Sequence, residues 1–405
     1  MKVFWGWRIV ASGFTIQFLQ SWLLTQAFGA YFAVFSEERG WSKTALSGAA
    51  ALQSMEAALL GPVLGWISDR FGTQGMIRAG IICFGAGFMV LSQIDSLTGF
   101  YTAFIVMAVG TSLCGYFPLN VAIIHWFEKL RVRALSVLSI GIALGGIFVP
   151  AIAWSMQSFG WRATAFASGV LVILAGWPLS GVFRRRRPED HGDTVDGLPP
   201  AAAESGAIGS ATQREFSARD ALRTGAFWLI SLGHGFALLV VYAVSVHAIT
   251  HMKEGMGYSI AQASLVITLM TAAQVGGVLA GWAIGDRFDK RFVAAVCMLM
   301  HAVGLLMLAY ATGIAMLVAF AVFHGGAWGL RGPLMQSIRA DYFGRRAIGM
   351  ILGLSSLITV IGQIGGPMIA GMLADLTGNY RAGFTVLAVL AGLGSLFFLL
   401  AKRPR

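Results

Sequence analysis

Apolar stretches long enough to cross a bilayer recur along the chain, near 7 to 35, 44 to 66, 76 to 93, 98 to 124, 134 to 157 and 163 to 183. After a polar gap they resume near 226 to 250, 260 to 285, 292 to 310, 313 to 338, 347 to 373 and 382 to 401. At about 20 residues per crossing, this pattern predicts twelve transmembrane helices joined by short loops, an all-α integral membrane protein. The gap predicts the organisation: an N-terminal six-helix half over 1–183, a cytosolic linker over 184–225 and a C-terminal six-helix half over 226–405. The linker opens with four consecutive arginines, Arg184 to Arg187, then Pro188, and continues through a stretch rich in Pro, Gly, Ala and Asp. Near its end, Ser217 to Arg223 read as a short capped surface helix, with Ser217 at the N-cap and Asp220 at the third position.

Composition agrees with a bilayer solvent. The chain is 57% hydrophobic and only 12% charged, which excludes a soluble enzyme, a disordered tail and a fibre. Its 52 glycines fit transmembrane helices that pack closely. The net charge of +11 finds its explanation in topology. With a cytosolic N-terminus, twenty-three Lys and Arg fall on the cytosolic side and five (Arg39, Lys43, Arg162, Lys253, Arg381) on the other, with Arg331 left inside a span. Both termini are therefore expected in the cytosol of a multi-pass protein of the cell (inner) membrane. No basic stripe with interleaved aromatics stands in a polar context, so nucleic acid is not an expected partner. Cys83, Cys114 and Cys297 lie in apolar runs without paired spacing, which indicates neither disulfides nor a zinc site. The run from Trp5 to Phe35 exceeds a signal-peptide core and reads as a retained first span.

The two halves echo each other at a spacing near 217 residues. Gly61-Pro62-Val63-Leu64-Gly65-Trp66-Ile67-Ser68-Asp69-Arg70-Phe71-Gly72 answers the segment from Gly277 to Asp289, which contains Gly281-Trp282 and Asp286-Arg287-Phe288. Pro150 answers Pro367, and Gly160-Trp161-Arg162-Ala163 answers Asn379-Tyr380-Arg381-Ala382.

The motif Gly65-x-x-x-Asp69-Arg70-x-Gly72 resembles the signature of the major facilitator superfamily, over the full chain. Its residues, with Asp286 and Arg287 in the second half, imply a conformational latch. There Asp69 sits near a helix N-terminus and pairs with arginine. The pattern departs from the usual signature at Thr73-Gln74, where basic residues are expected. Trp5-Gly6-Trp7-Arg8, and Trp126-Phe127-Glu128-Lys129-x-Arg131-x-Arg133-Ala134 followed by Gly141, Gly145, Gly146 and Pro150, resemble the monocarboxylate transporters and their oxalate/formate antiporter relatives. That resemblance implies a secondary transporter of a small organic anion. Here Gln26 stands where animal monocarboxylate transporters carry a lysine in span one. Spans eight and eleven lack the charges of those branches until Asp286.

Charges inside hydrocarbon persist only where they face a cavity or a partner. Glu56 near the middle of span two, with Gln53 one turn away, reads as a protonation site or as a structural hydrogen bond between helices. Arg331 in span ten lies eight residues, ~12 Å, from its cytosolic end, with His324 and Trp328 on the same face. It reads as an anion site, its guanidinium offering a fork to a carboxylate, or as an arginine snorkelling to the cytosol. In the superfamily fold spans one, four, seven and ten line the central path. The resemblance therefore draws in Gln17, Ser21 and Thr25, then Ser112, Tyr116 and Asn120, then His234, Tyr242 and Ser245. His247 and His251 have the spacing of metal ligands but end span seven at an interface, and no metal or cofactor is expected.

The expected activity is alternating access, carrying a monocarboxylate-like anion with a proton or against another anion, in a chain that suffices as a monomer. The alternative is an efflux carrier for neutral or cationic compounds. A membrane enzyme is disfavoured by the lack of HExxH, GxSxG and a nucleotide-binding loop.

Overall fold

The computed structural model describes residues 4–41, 43–197, 215–258 and 260–404. The part of the linker over 198–214 lies outside the described residues. Among the described residues the structure is helical, in chain order α1 (Trp5–Gln20), a π turn (Ser21–Thr25), α2 (Phe28–Arg39), α3 (Lys43–Phe71), α4 (Thr73–Leu91), α5 (Leu97–Cys114), α6 (Tyr116–Trp126), α7 (Arg131–Ile147) and α8 (Val149–Ser180). Then follow α9 (Ala218–Leu222), α10 (Gly225–Met256), α11 (Ile260–Ile284), α12 (Lys290–Ala309), α13 (Ile314–Phe343), α14 (Ile348–Thr377) and α15 (Arg381–Leu400). Nine helical stretches among the described residues are long and apolar enough to cross a membrane. One of them, over 131–184, holds the fifth and sixth expected spans. Spans one and two fall on α1 with α2 and on α3, so the helices are consistent with twelve crossings.

Three spans differ from the uninterrupted helices expected. Span one passes through the π turn and breaks before α2. Span four breaks at Gly115, against which the Gln20 side chain packs so closely that no Cβ would fit. Span five breaks at Phe148, whose carbonyl accepts the Trp22 indole N–H at 2.8 Å. At all three places a side chain of span one, or its own backbone, takes up groups that the break releases, which hydrocarbon would otherwise leave unpaired. The turn between spans five and six is Gly160, at φ +80 inside an otherwise helical run, a conformation that side chains with a Cβ rarely adopt.

Contacts sort into two compact units, Met1–Lys129 with Val137–Gln213 and Ile348–Gly353, and Leu130–Ser136 with Arg214–Ala347 and Leu354–Arg405. In the first, α4 packs against α5 and α8, and α3 against α5. In the second, α12 packs against α13 and α15, and α11 against α13, the same pairing for the corresponding spans. Glycine makes the closest of these contacts possible. Gly329 of α13 lies against the Gln274 carbonyl and Gly277 of α11 against the Gly326 carbonyl, leaving no room for a Cβ at either. Gly329→Val should therefore overpack the pair and cost ~3 kcal/mol. A melting temperature of the detergent-purified protein within a degree of wild type would contradict that packing.

The described part of the linker folds back on the first unit. Arg185 lies over the Trp5 ring at 4.2 Å, Trp126 donates its indole N–H to the Arg185 carbonyl, and the Asp196 carboxylate accepts the Glu128 and Lys129 N–H groups. On the far side of the gap, Ser217 Oγ accepts from Asp220 N at the start of α9.

Candidate functional site

In the first unit, Glu56 on α3 and Ser112 on α5 meet: Ser112 Oγ donates to Glu56 Oε2 at 3.0 Å. Both line, with Gln53, or flank an apolar groove between the two helices that encloses about 330 Å³. Glu56 Oε1 is buried with no hydrogen-bond partner among the described residues, and so is Gln17 Oε1 in span one. Of the remaining polar positions of spans one and four, Ser21 and Asn120 turn inward and Thr25 is exposed. Ser21 donates to the Ile142 carbonyl at 2.6 Å and Asn120, 1% exposed, donates to the Tyr116 carbonyl. The four-residue stripe Ser112, Tyr116, Asn120 does not persist, because the break at Gly115 separates Ser112 on α5 from the other two on α6.

Asp69 lies beyond the predicted end of span two, and its carboxylate accepts the N–H groups of Gly349 and Met350 at 2.9 and 2.8 Å, at the start of α14. Uncapped N–H groups and the helix dipole make this end a receptor for negative charge. Gly65 allows the approach, since a Cβ there would strike the Gly349 carbonyl, and Gly72 turns the chain at φ +81. The arginine partner differs from expectation. Arg186 donates to the Asp69 main-chain carbonyl, whereas Arg70 is exposed and stacks on Trp66 and Phe71. In the second unit Asp286 repeats the arrangement on Val132 N and Arg133 N, at 2.9 and 3.0 Å, while Arg287 is exposed. Nearby, Asp341 joins the buried Arg131 to Lys290.

Burial pushes the Asp69 carboxyl up to about 6, against the opposing pull of the Gly349 and Met350 N–H groups and of Arg186 and Arg187. A carboxyl raised above its ordinary 3.8 binds its proton more tightly in the engaged arrangement. Its contribution is then complete below 3.8 and lost as pH rises through about 6. Amide exchange over 348–353, corrected for intrinsic rates, should accordingly slow on going from pH 7 to pH 5. In Asp69→Asn that pH dependence should vanish; its persistence would assign the effect elsewhere.

In the second unit Arg331 is 1% exposed, in the interior of α13. Trp328 beside it is half-buried. His324 departs from the face expected for it. Fully buried, it turns to α12, where its Nδ1 and that of His301 are 3.2 Å apart in a shared hydrogen bond. Its ring packs edge-on against His301 and tilted against Phe320, which ties α13 to α12.

Sequence reasoning placed Arg339 in a cytosolic connection and missed its role. Because α13 continues to Phe343, Arg339 is inside the helix and 2% exposed. It donates to Ser355 Oγ at 2.7 Å, to the Met335 carbonyl at 2.7 Å and to His234 Nδ1 at 3.2 Å, and Ser355 bonds Ser231 of α10. A guanidinium can only donate, so His234 accepts at Nδ1 and carries its proton on Nε2. The imidazole is thereby fixed as a neutral donor. Tyr242, two turns further along α10, is 38% exposed. His247 and His251 bond the separate carbonyls of Pro367 and Leu308. The signal for Arg339 was present as a second arginine eight residues after Arg331, about 80° around the helix from it.

Comparison with known proteins decides the family. The family model of the Major Facilitator Superfamily matches residues 10–248 and 230–405. The chain belongs to the major facilitator superfamily. It is a multi-pass membrane protein and a transporter of small molecules rather than an enzyme. Monocarboxylate transporter 13 of Bos taurus is similar at 24% identity, over 98% of this chain and 89% of the relative. Monocarboxylate transporter 11 of Homo sapiens is 26% identical, over 98% and 82%. Among solved structures, the proton:xylose symporter XylE has a TM-score of 0.77 at 14% identity, covering 98% of this chain and 96% of that one. The human organic anion transporter MFSD10 has a TM-score of 0.74 at 14% identity, covering 97% and 99%. These similarities carry the superfamily fold and a monocarboxylate-transporter-like sequence.

Proposed function

We propose that this superfamily transporter moves a small, monocarboxylate-like organic anion by alternating access, coupled to a proton or to a counter-anion. The observation that carries the reading is a buried guanidinium, Arg331, in the interior of a span, on a helix that packs against α10, where the Nε2–H of His234 is fixed by Arg339. A fork of N–H donors and a neutral imidazole donor together suit a carboxylate, which accepts through both oxygens. Trp328, half-buried, and Tyr242, part-exposed, supply adjoining surface from the same two helices. In the first unit Gln17, Ser21, Tyr116 and Asn120 are candidate substrate contacts, of which Ser21 also holds the Ile142 carbonyl and Asn120 the Tyr116 carbonyl, and Glu56 is the proton-coupling group. Asp69 and Asp286, with Gly65, Gly72, Arg70 and Arg287 around them, form the conformational latch.

The proposed organisation is two six-helix halves, 1–183 and 226–405, joined by the linker 184–225, with both termini in the cytosol of a cell membrane and a monomer as the working unit. Support comes from the twenty-three to five distribution of basic residues and from the internal repeat.

The test is thermal unfolding of the detergent-purified protein with acetate, lactate and oxalate, against neutral and cationic compounds of similar size. A carboxylate-specific rise in melting temperature, lost in Arg331→Ala, is the expected result. A rise that survives in the variant would remove Arg331 from the site.

A further inference from the structure

The groove between α3 and α5 holds a carboxylate that the anion reading uses only for a proton. Leu52, Met55, Leu59, Phe104 and Ile105 surround Glu56 there, and none of the described lining residues is Arg, Lys or His. Met55, Leu59 and Ile105 are exposed at the rim, so the groove is open to an entering molecule. Ser112 satisfies one carboxylate oxygen, and the other is buried without a hydrogen-bond partner among the described residues. A carboxylate in apolar surroundings takes up either a proton or a counter-charge, and none of the described residues lining the groove supplies the counter-charge. Hard inorganic cations take six or more oxygens, far more than Glu56, Ser112 and Gln53 supply. An organic ammonium needs only one carboxylate for its head, and apolar walls suit its body. The rings of Tyr101 and Phe104 among the lining side chains add aromatic surface that favours a cation.

We propose that this groove binds a monovalent amphiphilic organic cation, a protonated or quaternary amine with an aryl or alkyl body, paired with Glu56. The site lies wholly on α3 and α5 of the first unit and is independent of the anion site on α10 and α13. Its cavity of about 330 Å³ admits a single aromatic ring with an ammonium head. A carboxylate substrate is excluded from it while Glu56 is ionised, because like charges would be brought together in an apolar environment.

Benzyltrimethylammonium keeps its charge at every pH, and neopentylbenzene is its uncharged isostere. Calorimetric titration of both into the full-length protein in detergent tests the proposal. The cation should bind saturably and the isostere should not. Glu56→Gln should weaken the cation at least tenfold, and Leu59→Trp, which fills the groove and leaves Glu56 intact, should do the same. Arg331→Ala should leave its affinity within twofold. Equal affinity in Glu56→Gln, or equally tight binding of the isostere, would overturn the proposal, the latter by showing a groove that selects shape alone, as for a lipid chain. Should Glu56→Gln not fold, Leu59→Trp decides. Loss of carboxylate binding in every arm with cation binding retained would sink the anion reading and leave this one standing.

Discussion

Replacing Arg331 by alanine is expected to lower carboxylate uptake into proteoliposomes by a hundredfold or more, and replacing it by lysine by at least tenfold. Truncating one partner of a buried, charge-assisted contact costs ~3 kcal/mol, and every 1.4 kcal/mol is about tenfold in affinity. Lysine restores the charge but as a point, without the planar fork that meets both carboxylate oxygens. An arginine that only filled space would tolerate lysine or methionine equally well. Uptake at wild-type rate in Arg331→Lys would reduce its role to charge, and wild-type uptake in Arg331→Ala would remove it altogether.

Arg339→Ala should be the most damaging single change to stability in the second unit, at ~3 kcal/mol or more. The guanidinium holds Ser355, the Met335 carbonyl and His234 at once and is 2% exposed, so its removal leaves several buried polar groups to find other partners. Carboxylate binding should weaken in parallel, because His234 is then free to place its proton on either nitrogen. Arg339→Met, which keeps volume and removes the charge, should recover stability more than binding. Thermal unfolding and ligand titration on the same preparations separate the two effects. An unfolding midpoint within a degree of wild type in Arg339→Ala would contradict the network.

The fold was largely legible because hydrocarbon imposes one rule on every span: apolar side chains outward and backbone bonds closed within the helix. Span lengths, the repeat and the signature around Asp69 all follow from that rule and from close glycine packing. What the sequence concealed depends on neighbours rather than on the span itself. Arg339 stood near a boundary where charge ordinarily means solvent, and only the continuation of α13 to Phe343 brings it inside. The turning of His324 toward His301 required knowing which helix packs beside α13. Glu56 and Ser112 were each visible as polar residues in apolar runs, but their meeting depends on α3 lying against α5. The break at Gly115 did carry a signal, Pro118, whose missing N–H and ring oppose the carbonyl of Cys114, the residue at which α5 ends.

The π turn at Ser21–Thr25 changes how positions in span one are to be counted. A single π turn adds one residue to the helix, and one residue is about 100° of rotation. Gln17 and Ser21 precede or open the turn and are buried, whereas Thr25, the next in the four-residue series, is exposed. Positions beyond this point, Gln26 among them, are therefore rotated by about 100° from where an uninterrupted α-helix would set them. A lysine introduced there would have to be tried at neighbouring positions, since the turn decides which direction each of them takes.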